Sequence, residues 1–173
     1  MLSTSQSTTF LLLHNIGDKK SINYNTIDEI KKSDGVLTFD GIYRNVYTNK
    51  EILKDRKVIL FIMGDYVGKD NSFDTKMPLE YICDWNEIME LVDNGAELGW
   101  HTRSHRDLRK LSDKELIKEV MPPFPMKYFA YPYGRVDKRV EEVVKAFGYE
   151  TAYCAGKYGD GSQYQLKREY LKL

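Results

Sequence analysis

The sequence predicts an α/β protein, a distorted and incomplete (β/α) barrel of about six or seven parallel strands with outer helices. Short apolar runs alternate with helical patterns, which is typical of parallel strands joined by helices. A complete barrel of eight strand–helix units needs at least ~200 residues. This chain has 173 residues, so we expect a partial barrel. An open, doubly wound sheet is the alternative arrangement.

The strands are predicted from short apolar runs that end at glycine or polar residues. The clearest of them is Val58 to Met63, a β-branched and aromatic run that Gly64 ends. The other predicted strands are Phe10 to Leu13, Val36 to Phe39, Ala96 to Trp100, Tyr128 to Ala130 and Thr151 to Cys154.

The helices are predicted mainly from their capping sequences. Capping boxes at Thr26–Glu29 and Ser112–Glu115 predict helices that run to about Lys32 and to about Val120. Asp84 has N-cap spacing before a helix that Gly95 ends. Further predicted helices cover Val46 to Lys54 and Val136 to Phe147, and the stretch from Gly64 to Cys83 is predicted as a long polar loop.

Length and composition favour one folded domain, residues 9–173, after a loose leader of residues 1–8. The 26 basic and 26 acidic side chains cancel, so the excess positive charge of a nucleic-acid binder is absent. The longest apolar run has four residues, Phe10 to Leu13, whereas a membrane helix needs ~20. With no signal-peptide pattern, we expect a cytoplasmic protein without a membrane span. The oligomeric state is left open.

Polar side chains follow the predicted strands at their carboxyl ends. His14 and Asp40 each come directly after an apolar run, as does His101, and His105 lies four residues further on. Ligands of α/β barrels bind at this edge of the sheet, so we expect the four side chains at one rim. The pair His101-x-x-x-His105 can chelate Zn, Co, Ni or Fe, with a carboxylate oxygen as third ligand.

A second candidate segment is Phe129-Ala-Tyr-Pro-Tyr-Gly134. Pro132 has a fixed φ and biases Tyr131 towards extended geometry. Tyr131, Pro132 and Tyr133 are therefore predicted to contact substrate, with the two tyrosines forming a wall against which a sugar ring packs. A plain strand end followed by a turn is the alternative interpretation.

Several segments together resemble the polysaccharide deacetylases (carbohydrate esterase family 4). The first motif of that family is similar to Leu37-Thr-Phe-Asp-Gly-Ile-Tyr-Arg-Asn-Val-Tyr47. The second, which binds metal, resembles Gly95-Ala-Glu-Leu-Gly-Trp-His-Thr-Arg-Ser-His105, and the third resembles Phe129 to Gly134. Leu13-His-Asn-Ile16 and Gln165-Leu-Lys-Arg168 resemble the ends of the circularly permuted branch.

The resemblance, which runs from about Thr9 to Arg168, implies removal of acetyl groups from N-acetylated sugars with one divalent metal ion. Zn is the first choice, with Co, Ni or Fe as alternatives. The resemblance further implies that His101 and His105 bind the metal, that Asp40 is the catalytic base and that His14 is the acid. The backbone N–H of Tyr133 would help to hold the oxyanion.

The sequence departs from the family pattern at the metal site. The family's first motif has two successive Asp residues, of which the second is a metal ligand, and here the second is Gly41. Either the metal site is lost, or Asp40 itself or another oxygen such as Asp65 is the third ligand. Ala130 replaces an Arg of the third motif, so Arg168, near the C-terminus, is the candidate that orients the base.

The sequence thus predicts a metal-dependent hydrolase acting on an N-acetylated poly- or oligosaccharide, or on a precursor. The alternative, suggested by Gly41, is a catalytically impaired domain that binds carbohydrate or a protein partner. A metal hydrolase of another specificity is the third possibility.

Overall fold

Seven parallel strands curl into an incomplete barrel with the helices outside. The computed structural model describes residues 8–17, 23–75 and 77–171, so nearly all of the predicted leader lies outside it. The strands are β1 (Phe10–Leu13), β2 (Asn15–Ile16), β3 (Tyr24–Asn25), β4 (Val36–Asp40), β5 (Val58–Ile62), β6 (Glu97–Trp100), β7 (Tyr128–Ala130), β8 (Thr151–Tyr153) and β9 (Glu169–Tyr170). The order in the seven-stranded sheet is β8-β7-β6-β5-β4-β1-β9. The predicted partial barrel is confirmed.

The helices begin where the capping sequences predict. They are α1 (Ile27–Lys32), α2 (Arg44–Thr48), α3 (Trp85–Asp93), α4 (Asp113–Val120) and α5 (Lys138–Ala146). Thr26, Asp84 and Ser112 each form a capping box. In it the N-cap side chain accepts from the backbone N–H of a Glu three residues later, and the side chain of that Glu accepts from the N-cap backbone N–H. Short 3-10 helices follow at Lys50–Leu53, Gly64–Tyr66, Leu108–Lys110 and Pro132–Gly134. No helix among the described residues is long and apolar enough to cross a membrane.

The single helix predicted over Val46 to Lys54 is wrong. Two pieces form instead, α2 and the 3-10 helix Lys50–Leu53, separated at Asn49. The Asn49 side chain donates to the Asn45 carbonyl at 2.7 Å, which is the acceptor that a continuing helix would use. This local side-chain hydrogen bond therefore competes with helix propagation.

Strand alternation sends the side chain of Asp40 into the barrel. In β4, Leu37 and Phe39 pack in the core between sheet and helices, whereas Val36 belongs to the cluster inside the barrel. Because successive side chains of a strand point to opposite faces, Thr38 and Asp40 share the inner face with Val36. Both are buried, so the interior of this barrel is polar near its carboxyl-terminal end.

The C-terminal segment contacts both edges of the sheet. Leu166 forms a parallel bridge with Tyr153 at the β8 edge, and β9 pairs with β1 at the other edge. The sequence does not predict β9, because a two-residue strand is too short for a periodic pattern. Its course brings Arg168 into the barrel interior, where the side chain is fully buried.

Candidate functional site

A cavity of about 220 Å³ lies at the carboxyl-terminal ends of the strands. The residues that directly follow β1 and β6, His14 and His101, line it, together with Asp40 at the end of β4. His105 and Tyr133 complete the set of predicted residues on its wall. The structure therefore brings the predicted polar side chains together at one rim, although their separate roles stay predictions.

Asp40 and Arg168 form a two-point ion pair beneath this cavity. The Arg168 guanidinium donates from Nη1 to Asp40 Oδ1 at 2.5 Å and from Nη2 to Oδ2 at 2.8 Å. The Arg168 Nε donates to the Cys154 carbonyl at 2.9 Å. The guanidinium carbon, Cζ, lies 5.3 Å from the centre of the Phe61 ring. Because the planar guanidinium donates to both carboxylate oxygens, it fixes the orientation of Asp40 as well as its charge.

The carboxyl of Asp40 is held in its charged form. Burial disfavours the charge, but the Arg168 guanidinium and the nearby imidazoles outweigh it, so the pKa of Asp40 lies well below its ordinary value. Asp40 is therefore ionised at neutral pH. The same stabilisation lowers its affinity for a proton.

His101 presents one ring nitrogen to Asp40. Its Nδ1 lies 2.8 Å from the Ala130 carbonyl, and because a carbonyl only accepts, the proton of the neutral ring is on Nδ1. Nε2 then carries the lone pair and lies 3.6 Å from Asp40 Oδ2. Burial lowers the pKa of His101 despite the nearby carboxylate, so the ring is neutral and suited to bind a cation.

His105 is brought back to His101 by a tight loop. Thr102 and His105 both have positive φ, 71° and 57°, and Thr102 Oγ1 accepts from the His105 N–H at 3.0 Å. The buried Glu119 carboxylate holds Ser104 through both its N–H, at 2.8 Å, and its hydroxyl. The centres of the His101 and His105 rings lie 4.8 Å apart. Burial lowers the pKa of His105 to about 3.

His14 is neutral and lacks a hydrogen-bond partner on one nitrogen. Its Nδ1 is buried and finds no partner in the described part of the chain. Burial lowers the pKa of His14 to about 4, with Asp40 acting in the opposite direction. A buried polar atom without a partner is rare in folded proteins, and here it belongs to a ring that lines the cavity.

The structure separates the three residues of the predicted substrate wall. Tyr133 is 53% exposed, has a φ of 60° and lines the cavity. Tyr131 is fully buried and its hydroxyl donates to the Tyr164 carbonyl at 3.1 Å, so its ring cannot contact a sugar. Pro132 is buried too and is not among the residues that line the cavity. Because successive side chains alternate between the two faces of a sheet, Tyr131, just after β7, packs in the core between the sheet and the helices.

The donors present do not match the three-ligand metal site that the family resemblance implies. No group of three His, Cys, Asp or Glu side chains gathers closely enough to hold an ion within residues 8–17, 23–75 and 77–171. A Cβ on Gly41 would lie 2.7 Å from Met63 Cε and 3.3 Å from Tyr43 Cε2, so the end of the Met63 side chain would have to shift to admit the family's second Asp. Asp65 binds Arg103 at 2.8 Å and does not line the cavity.

Several residues of the cavity wall were not predicted. Three of them come from the stretch Gly64 to Cys83, which folds back on itself through an antiparallel bridge between Asp70 and Tyr81. The signal in the sequence that indicates them is the length of this polar loop, because long loops in small domains often carry function. The unpredicted residues include Asn23, Tyr43, Met63, Phe73, Asp74 and Met77.

Comparison with protein families gives a match to the model described as polysaccharide deacetylase over residues 28–152. The chain is also 37% identical over 68 residues to chitin deacetylase 1 of Saccharomyces cerevisiae. That match covers 34% of this chain and 22% of the yeast protein, so it spans about a fifth of that relative.

Solved structures share the fold at low identity. The deacetylase PplD of Streptococcus pyogenes, solved with acetate, has a TM-score of 0.75 at 15% identity, over 95% of this chain and 92% of that one. A polysaccharide deacetylase from Bacillus cereus has a TM-score of 0.70 at 19% identity, over 95% and 65%. A de-N-acetylase from Aggregatibacter actinomycetemcomitans has 0.69 at 13%, over 95% of both chains. These likenesses concern the fold.

Proposed function

Since the chain belongs to the polysaccharide deacetylase family, we propose that it hydrolyses the acetamide of N-acetylated sugars, in a poly- or oligosaccharide or in a precursor. The observation that best supports this is the cavity wall, where an ionised carboxylate faces neutral imidazoles at the strand ends. Amide hydrolysis needs a base for water, a donor for the oxyanion and a proton for the leaving amine.

In this proposal Asp40 accepts the proton of the attacking water. Arg168 positions the carboxylate and keeps it ionised, as the two hydrogen bonds of 2.5 and 2.8 Å indicate. The low pKa of Asp40 makes it a weaker base than an unpaired carboxylate. We therefore expect turnover to be slow unless bound substrate loosens the ion pair.

The protonated form of His14, a small fraction at neutral pH because burial lowers the pKa of the ring to about 4, donates a proton to the leaving nitrogen. The backbone N–H of Tyr133 stabilises the oxyanion. Both residues line the cavity with Asp40, which makes contact with one acetamide group feasible. Removing one oxyanion donor typically costs ~2.7–4 kcal/mol of transition-state stabilisation. The left-handed backbone at Tyr133 and Gly134 places this part of the chain at the cavity wall.

Metal dependence is a further part of the proposal. His101 and His105 would supply two imidazole ligands, a donor type that favours Zn, with Co, Ni or Fe as alternatives. The chemistry that such an ion would supply at these two rings is polarisation of the substrate carbonyl. Asp40 would become a third ligand only by giving up part of its ion pair with Arg168. We expect such an ion to be held weakly.

The alternative, a catalytically impaired domain that binds carbohydrate or a protein partner, is supported by one observation: Gly41 has no side chain, and Met63 and Tyr43 lie where its Cβ would point. The relatives do not favour it, because those named above are themselves described as deacetylases.

Acetate release from N-acetylglucosamine oligomers tests the proposal. The assay is run on protein purified without chelator, with and without added Zn, Co or Ni. Asp40→Asn should abolish release, whereas Asp65→Asn, a carboxylate outside the cavity, should not change it. No release under any metal condition would leave the non-catalytic alternative.

A further inference from the structure

The loop from His101 to His105, which we call the histidine loop, carries both candidate metal ligands but is fixed differently at its two ends. His101 directly follows β6, and its N–H donates to the Ile62 carbonyl at 2.8 Å. Its ring is held as well, because Nδ1 lies 2.8 Å from the Ala130 carbonyl. The sheet therefore fixes His101, whereas the position of His105 depends on the path of the loop.

Two positions of the histidine loop have an unfavourable backbone conformation. Thr102 and His105 have φ angles of 71° and 57°, in the left-handed region. Residues other than glycine rarely adopt this region, and a β-branched residue such as Thr adopts it least of all. Such a conformation persists only where the surrounding structure fixes it. The contacts made to this loop therefore decide whether the ring of His105 stays beside that of His101.

Glu119, in the last turn of α4, holds the middle of the histidine loop. Its side chain is buried, and one carboxylate oxygen accepts from the Ser104 N–H at 2.8 Å, while the other accepts from the Ser104 hydroxyl. Its backbone carbonyl has no intrahelical partner, because the helix ends at Val120. That carbonyl accepts from the Arg103 N–H at 3.2 Å and from Trp100 Nε1 at 2.9 Å. One residue thus binds the loop between its two strained positions.

Backbone groups hold the other side of the histidine loop. The Gly64 N–H donates to the Thr102 carbonyl at 3.1 Å. The Asp65 N–H donates to the Arg103 carbonyl at 2.8 Å. Backbone contacts of this kind do not depend on a side chain, whereas both hydrogen bonds that the Glu119 carboxylate accepts are lost when that one side chain is removed. Glu119 is therefore a point at which a single substitution can release the loop.

We propose that Glu119 is a positioning residue, which keeps the His105 ring beside the His101 ring through its hydrogen bonds to Ser104. Ser104 directly precedes His105, so fixing its N–H and its hydroxyl orients the part of the chain that carries the ring. Two imidazoles bind one ion only if their nitrogen lone pairs converge, and here the ring centres lie 4.8 Å apart. The inference rests on the proposed function, because that proposal places the metal ion at these two rings.

The test measures the position of the two rings as well as what they bind. NMR detects the nuclear Overhauser effect between the ring protons of His101 and His105 in the protein without metal, and calorimetry measures the affinity for Zn²⁺. The variants are Glu119→Ala, which removes the carboxylate, and Glu119→Gln, whose amide can accept from the Ser104 N–H and donate to the Ser104 hydroxyl. Val120→Ala is the matched control, because Val120 is the next residue and its fully buried side chain packs in the core.

We expect Glu119→Ala to lose the ring-to-ring Overhauser effect and to bind Zn²⁺ at least about tenfold more weakly, the usual result of removing a group that orients a metal ligand. Glu119→Gln should restore most of both. Val120→Ala should lose thermal stability, as a cavity in the core causes, yet keep both. Ser104→Ala, which removes only the hydroxyl hydrogen bond, should show a smaller loss of the same kind and provides the test if Glu119→Ala does not fold.

If Glu119→Ala keeps the ring-to-ring effect and the wild-type affinity, the inference is wrong and the deacetylase proposal stands. The inference is also wrong if Val120→Ala loses both, if Glu119→Gln restores neither, or if the wild type shows no ring-to-ring effect. A wild type that neither binds Zn²⁺ nor releases acetate would contradict the proposed function, and the Overhauser effect would still test the position of the rings.

Discussion

Asp40 and Arg168, 128 residues apart in the chain, form a two-point ion pair in the interior of the barrel. Asp40 ends β4, and Arg168 precedes the short strand that pairs with β1. The Arg168 side chain also reaches Thr38 Oγ1 at 3.3 Å. One interaction therefore joins the C-terminal segment to the middle of the sheet and sets the charge of the proposed catalytic base.

The first prediction concerns the stability that depends on this pair. Arg168→Met should lower the free energy of unfolding by about 3–5 kcal/mol, because it leaves a buried carboxylate without its partner. Urea denaturation measures the change. The double variant Asp40→Asn/Arg168→Met removes both charges and should recover much of the loss. Equal instability of the single and double variants would mean that packing, rather than charge, explains the effect.

The helices and strands that are specified by neighbouring residues could be predicted from the sequence. Capping boxes at Thr26 and Ser112 and the apolar run at Val58 each specify their element through neighbouring residues. The strand β9 could not be predicted, because its two residues become a strand only through pairing with Leu11 and Leu12. Long-range pairing of this kind has no local signature.

The candidate site likewise contains residues that could be predicted from the sequence and residues that could not. His14, Asp40 and His101 could be predicted because each follows an apolar strand, and the topology of parallel strands gathers such positions. The burial of Tyr131 could not be predicted, because the residue types from Phe129 to Gly134 do not indicate which ring packs in the core. The contact of Met63 with the space at Gly41 could not be predicted either, because it depends on tertiary packing.

The second prediction is that restoring the family's carboxylate needs two substitutions. Gly41 has a φ of 72°, which Asp tolerates better than most residues, but a Cβ there would lie 2.7 Å from Met63 Cε. Gly41→Asp alone should therefore gain little affinity for Zn²⁺ in calorimetry. Gly41→Asp/Met63→Ala should bind clearly more tightly, with Met63→Ala as the control. Tight binding by the single variant would show that Met63 moves aside freely.

The third prediction separates the roles of the histidines. His101→Ala should abolish binding of Zn²⁺, because Nε2 of that ring carries the lone pair that faces the cavity. His14→Ala should leave Zn²⁺ binding unchanged and lower the rate of acetate release. Calorimetry and the release assay on the same preparations measure both. If both variants lose Zn²⁺ equally, His14 is a ligand rather than the acid.

The last prediction is the pH dependence of the deacetylation. Burial lowers the pKa of His14 to about 4, so the charged, acid form falls about tenfold for each pH unit above that value. Asp40 does not oppose this trend, because its own pKa lies well below the ordinary value and it stays ionised. If imidazolium donates the proton, kcat/KM should rise about tenfold per unit as the pH falls from about 7 towards 5.

The His14→Gln variant supplies the comparison that assigns this slope. It should be slower than the wild type and lose the rise towards acid pH, because no titrating group remains at that position. A wild-type profile that is flat or falls towards acid pH would mean that the proton comes from elsewhere, and that the unpartnered Nδ1 of His14 serves to bind substrate.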